Sequence, residues 1–141
     1  MELVTFEALL KERVEATGQV EVRTFMELSV PFLYGLVIKV DGGAVAFRLT
    51  KGSGTGDPPA TGEEQAAHDA NVARLDPKAT MPRLQHTPER VQKASGLIRD
   101  VLAADLPAGA VGVEGRADGR ELPGVKVVFK TGSEIYVVPV G

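Results

Sequence analysis

The sequence predicts an α+β fold, an antiparallel sheet of about six strands with two main amphipathic helices on one of its faces. Three observations carry that expectation. A helical apolar pattern followed by three strand-like runs occupies Thr5 to Leu49, and the same order returns from Thr87 to Pro139. Each set ends in a hairpin signal, Asp41-Gly42-Gly43 in the first and Lys130-Thr131-Gly132-Ser133 in the second. At 141 residues the chain has the length of one domain and can bury a single core. We therefore divide one domain, 1–141, into a first half (5–49), a polar connecting segment (50–86) and a second half (87–139).

Thr5 has the side chain of an N-cap, and Phe6, Leu9, Leu10 and Val14 follow at helical spacing. Glu7, Lys11, Glu12 and Glu15 fall on the opposite, polar face, and Gly18 closes the helix. From Gln19 to Leu28 the pattern alternates, with Val20, Val22, Thr24, Met26 and Leu28 on one side, as in a half-buried strand. Pro31 argues against a central strand in the cluster Val30, Phe32, Leu33 and Tyr34. Leu36–Val40 and Ala44–Leu49 then form the first hairpin.

The second half opens with Thr87-Pro88-Glu89, an N-cap followed by a proline whose missing N–H costs nothing at the first helical position. Val91, Ala94, Leu97, Ile98, Val101 and Leu102 make a broad apolar stripe, covered by Arg90, Gln92, Lys93, Arg99 and Asp100. Asp105-Leu106-Pro107 and Gly109 end it, and Ala110–Arg116 reads as a glycine-diluted strand. Turns follow at 117–120 and 123–124, then the hairpin of Val125–Phe129 and Glu134–Val138. Ile135–Val140 is also a candidate edge for pairing with another chain, blunted by Pro139. An ungapped alignment of Ile38–Gly52 with Val127–Gly141 matches Gly43 to Gly132 and Gly52 to Gly141. A duplicated α-β-β-β unit and two independent uses of the same hairpin grammar both account for that match.

The connecting segment holds what folding leaves unexplained. Its glycines, in Lys51-Gly52-Ser53-Gly54-Thr55-Gly56, follow a strand, but the lysine precedes them, which is the wrong order for a phosphate-binding loop. A short third helix is expected from Thr61 to Leu75, with Thr61 as cap, Glu63 and Glu64 in its first turn, and a thin apolar stripe of Ala67, Val72 and Leu75. Glu64 and His68 lie four residues apart and share a face, Asp69 is adjacent, and His86 precedes the second main helix. Two imidazoles with carboxylates are ligands for a divalent ion or a source of a general base, which makes Glu64, His68, Asp69 and His86 the metal-site candidates. Their spacing matches no established metal motif, and a surface Glu–His pair with a solvent-facing loop histidine is the favoured reading. Ser29, Ser53, Ser95 and Ser133 lack the context of an activated nucleophile. Val30, Phe32, Leu33 and Tyr34 are candidates either for the core or for an interaction surface.

Composition narrows the classes. The absence of cysteine excludes disulfides, thiolate metal sites and thiol catalysis, and it suits a cytoplasmic location. The first residues lack the basic and apolar runs of a signal peptide, and no stretch has the ~20 apolar residues of a membrane span. A net charge of −3, spread along the chain, argues against nucleic acid as a partner. The helix-then-three-strands order resembles the layout of type III secretion chaperones and their relatives, which are small acidic dimers. It also resembles the start of double-stranded RNA-binding domains. Neither family's motifs occur here, so the resemblance implies layout alone. The expectation is a small cytoplasmic binding or adaptor protein with no cofactor, acting on a protein partner or a second copy of itself. The alternative is a metal-dependent protein built on the connecting segment.

Overall fold

The computed structural model describes residues 1–52, 59–76, 78–80, 87–115 and 124–140. Helix α1 (Leu3–Ala16) leads into strands β1 (Glu21–Thr24), β2 (Gly35–Val40) and β3 (Gly43–Gly52). Helix α2 (Gly62–Arg74) and helix α3 (Pro88–Ala104) follow, then β4 (Ala110–Gly115), β5 (Val125–Phe129) and β6 (Glu134–Val140). The six strands form one antiparallel sheet in the order β1-β2-β3-β6-β5-β4. The fold is α+β. No helix among the described residues is long and apolar enough to cross a membrane.

Strand register explains how the core is built. Leu36 sits opposite Phe47 and Ile38 opposite Val45. Leu49 sits opposite Val137, and Val127 opposite Ile135. These side chains share one face, because residues two apart in a strand point the same way. They form a single cluster with Phe6, Leu10 and Val14 of α1 and with Val91, Ala94, Ile98 and Leu102 of α3. Residues of the other parity, Val37 and Ala46, make a smaller cluster with Phe25 and Val30, against which Phe32 packs. The segment between β1 and β2 thus folds over the second face of the sheet.

Four sequence expectations change. The N-cap of α1 is Glu2, three residues before Thr5 and without a side-chain bond, and Thr5 lies inside the helix. Glu7 is not on the solvent side but is 9% exposed. The first strand stops at Thr24, where the chain turns away; Ser29 takes φ 53°, and Met26 and Leu28 are left exposed. Strand β6 is not an edge, since β3 and β5 flank it. Among the described residues its pairing with β5 ends at Val137, and at Pro139 the strand alongside is β3. The hairpin at Asp41-Gly42 stands as read, with φ 50° and 78°, and Thr87 accepts a bond from the Arg90 amide at 3.3 Å as the cap of α3.

Gly35 is the residue on which the sheet and its cover meet. A Cβ there would lie 2.3 Å from the Phe25 ring and 2.3 Å from the Phe47 carbonyl oxygen. Only glycine lets the ring lie across the backbone of β2.

Candidate functional site

Helix α2 is a polar clamp. It starts with a capping box: Thr61 Oγ1 accepts from the Glu64 amide at 3.1 Å, and Glu64 Oε1 accepts from the Thr61 amide at 3.0 Å. The Thr5 hydroxyl of α1 donates to the other Glu64 oxygen, tying the two helices together. That bond is the largest cause holding the Glu64 carboxyl below the usual range. Asn71 is the buried residue of this helix; of its apolar stripe, Ala67 and Val72 are exposed and Leu75 is half-buried. The inward residues Glu64, His68, Asn71 and Leu75 instead recur at steps of four, three and four.

The clamp closes on main-chain carbonyls. Arg74 donates from Nη2 to the carbonyls of Phe32 at 2.7 Å and Leu33 at 3.1 Å. It also donates from Nη1 to that of Val30 and from Nε to Asn71 Oδ1. Asn71 Nδ2 donates to the Leu33 carbonyl as well. An irregular segment cannot satisfy its own backbone, and each bond from a charged donor contributes about 1.5–3 kcal/mol. These bonds satisfy the carbonyls of Val30, Phe32 and Leu33, while that of Tyr34 accepts the Leu49 amide of β3 at 3.0 Å.

Glu7 completes the arrangement from below. Its carboxylate accepts the Gly35 amide at 2.9 Å, a donor at the start of β2. Burial pushes the Glu7 carboxyl up to about 7; the Gly35 bond and the nearby Arg74 charge pull in the opposite direction, and Glu27 adds to the rise. Burial likewise raises the Tyr34 hydroxyl, with Asn71 opposing through a hydrogen bond. Tyr34 shares a hydrogen bond with His68 Nδ1, and the two rings lie 25° from parallel with centroids 5.9 Å apart.

Beside this clamp lies a cleft of about 460 Å³. Leu3, Phe32, Leu33, Leu49 and Leu75 supply its apolar wall, Tyr34 and His68 its polar one. Among the described residues Arg48 and Lys51 are its charged lining, and no carboxylate is part of it. The Arg48 guanidinium stands 4.7 Å from the Phe32 ring centroid and pairs with no carboxylate among the described residues.

The metal candidates fall as follows. Glu64 is engaged by Thr61 and Thr5, His68 by Tyr34, and Asp69 by the Gln65 amide at 2.9 Å. His86 lies outside the described residues, as does the glycine run after Gly52. Among the described residues, no three His, Asp or Glu side chains gather as a metal would require. Of the apolar candidates, Val30 and Tyr34 are buried, while Phe32 and Leu33 are half-buried and line the cleft. Sequence reasoning missed Glu7, Arg48, Asn71 and Arg74. The spacing of Glu64, His68, Asn71 and Leu75 was a readable signal for an inward polar face; nothing local marked Glu7 or Arg48.

No family model, curated protein or solved structure matches the chain.

Proposed function

We propose that the protein is a small, soluble, cytoplasmic binding or adaptor protein, non-enzymatic and self-associating. Its ligand is an apolar group bearing an acid, taken into the cleft between α2, residues 31–34 and β3. One observation carries the ligand reading: in a chain of net charge −3, the Arg48 guanidinium lines this cleft without a carboxylate partner among the described residues, none of whose carboxylates lines the cleft. Its size and its mostly apolar wall with a few convergent polar groups are those of a small-ligand site. The Arg74 and Asn71 bonds support a preformed wall, which lowers the ordering cost of binding.

Anilinonaphthalene sulfonate, an apolar double ring with an anion, is a suitable probe. Titration of the folded protein should give saturable one-site fluorescence enhancement, and Arg48→Gln should weaken it roughly tenfold, the worth of one charge-assisted contact. Absence of saturable binding, or equal binding by the folded Arg48→Gln variant, would overturn this reading.

A further inference from the structure

We propose that two copies of the chain associate through antiparallel pairing of their α3 helices about Gly96. The proposal rests on the self-association in the reading above and gives it a surface; it does not involve the cleft at His68.

Glycine inside a helix is destabilising relative to alanine, so a helical glycine normally answers to a crowded neighbour. Gly96 has none among the described residues, since a Cβ there would meet no heavy atom within 4 Å beyond its chain neighbours and the backbone of its own helix. The space beside it is an open cleft of about 740 Å³ along α3, with Val20 and Val40 among its lining residues and Leu97 beside Gly96. The missing side chain therefore serves something that approaches the helix from outside. Close approach of a second helix is the usual use of such a gap.

Charge selects the occupant. Lys93 and Asp100 both line this cleft, three residues before and four residues after Gly96, and so share its face of the helix. Lys93 holds the exposed Asp41 carboxylate at 2.9 and 3.1 Å, whereas Asp100 has no partner among the described residues. Place a second α3 antiparallel, with the two-fold axis between positions 96 and 97. Lys93 then faces Asp100 of the second copy, and Gly96 faces its Leu97, each contact occurring twice as an isologous interface requires. A parallel pairing would set Lys93 against Lys93 and Asp100 against Asp100. The face is complementary to itself in the antiparallel sense, which singles out a second copy of this chain.

Sedimentation equilibrium of the full chain tests this. The wild type should be dimeric, and Gly96→Leu and Asp100→Lys should each weaken the dimer roughly tenfold or more. Neither should lower the thermal midpoint of dilute protein, because leucine is the better helix former and Asp100 is exposed. Combining Asp41→Asn, Lys93→Asp and Asp100→Lys should recover most of the association lost in Asp100→Lys alone, since the swap restores opposite charges across the two-fold and the asparagine removes the carboxylate that would face the new one at position 93. A wild-type dimer unchanged in both single variants would overturn the α3 surface and leave self-association standing. A wild type that stays monomeric up to millimolar concentration would overturn both.

Discussion

Helices α1 and α3 contribute to the same core, yet they bury different chemistry. From α3 the buried residues are Val91, Ala94, Ile98 and Leu102, with the single small hydroxyl of Ser95. From α1 they are Phe6, Leu10, Val14 and the carboxyl of Glu7. The difference follows from what each helix meets. The strands opposite α3 satisfy their backbones in ladders and hairpins, so they ask nothing polar of the helix. Beside α1 runs the irregular segment 25–34, whose carbonyls and whose exit amide at Gly35 need partners. Arg74 and Asn71 of α2 donate to the carbonyls, and the Glu7 carboxylate accepts from the amide. Buried polarity marks the place where the chain departs from regular structure, and the ligand cleft opens beside it.

The most severe way to break that contrast is Gly35→Ala. Its Cβ would have to displace either the Phe25 ring or the β3 backbone, so a loss of about 4 kcal/mol or more is expected. Urea unfolding measures it. A loss below about 1 kcal/mol would show that segment 25–34 is not locked onto the sheet.

Glu7→Gln tests the polar side through pH. The Glu7 carboxyl is raised from 4.5 to about 7 in the folded chain, so between those values the native state holds a proton that the unfolded state has released. Its stabilising contribution is complete below about pH 4.5 and lost as pH rises through 7. Glutamine stays neutral and still accepts the Gly35 amide. Relative to wild type, Glu7→Gln should therefore gain about 2–3 kcal/mol on going from pH 4.5 to pH 8. Equal pH dependence in the two proteins would mean that Glu7 is not buried as described.

Ser95→Ala sharpens the other side of the comparison by the smallest effect. The Ser95 hydroxyl is buried and has no hydrogen-bond partner among the described residues. Removing it should stabilise the protein by up to about 1 kcal/mol, through relief of the unpaired group and better helix propensity. A destabilisation of that size would instead show that α3 depends on buried polarity as α1 does.

The local patterns in the sequence were enough for the helix and hairpin framework. Phe6, Leu10 and Val14, the Thr87-Pro88 start, and the glycines at 42 and 132 each act within a few residues of themselves. Helical spacing, capping and turn geometry are short-range effects, so they can be read from neighbours alone. The polar capping of α2 was legible for the same reason, through Thr61 and Glu64. The central position of β6 was not, because strand order depends on pairings between residues about ninety apart, such as Leu49 with Val137.

The candidate site was legible only in part. His68 and the 30–34 cluster were singled out separately, and nothing local joined them, since Tyr34 and His68 meet across the fold. Glu7 read as a surface residue because periodicity reports one apolar face, and its burial is decided by an unpaired amide on β2. The open space at Gly96 is likewise a property of packing, invisible in a helix whose stripe already explained its other residues. The sequence by itself determined the three helices and the two β-hairpins, and excluded thiol chemistry, because those follow from local sterics and composition; the expected turns at 117–120 and 123–124 fall wholly or partly outside the described residues. Only the tertiary structure decided which polar groups go inside and where a basic cleft opens, because unsatisfied backbone groups and charge neighbours arise when distant segments are brought together.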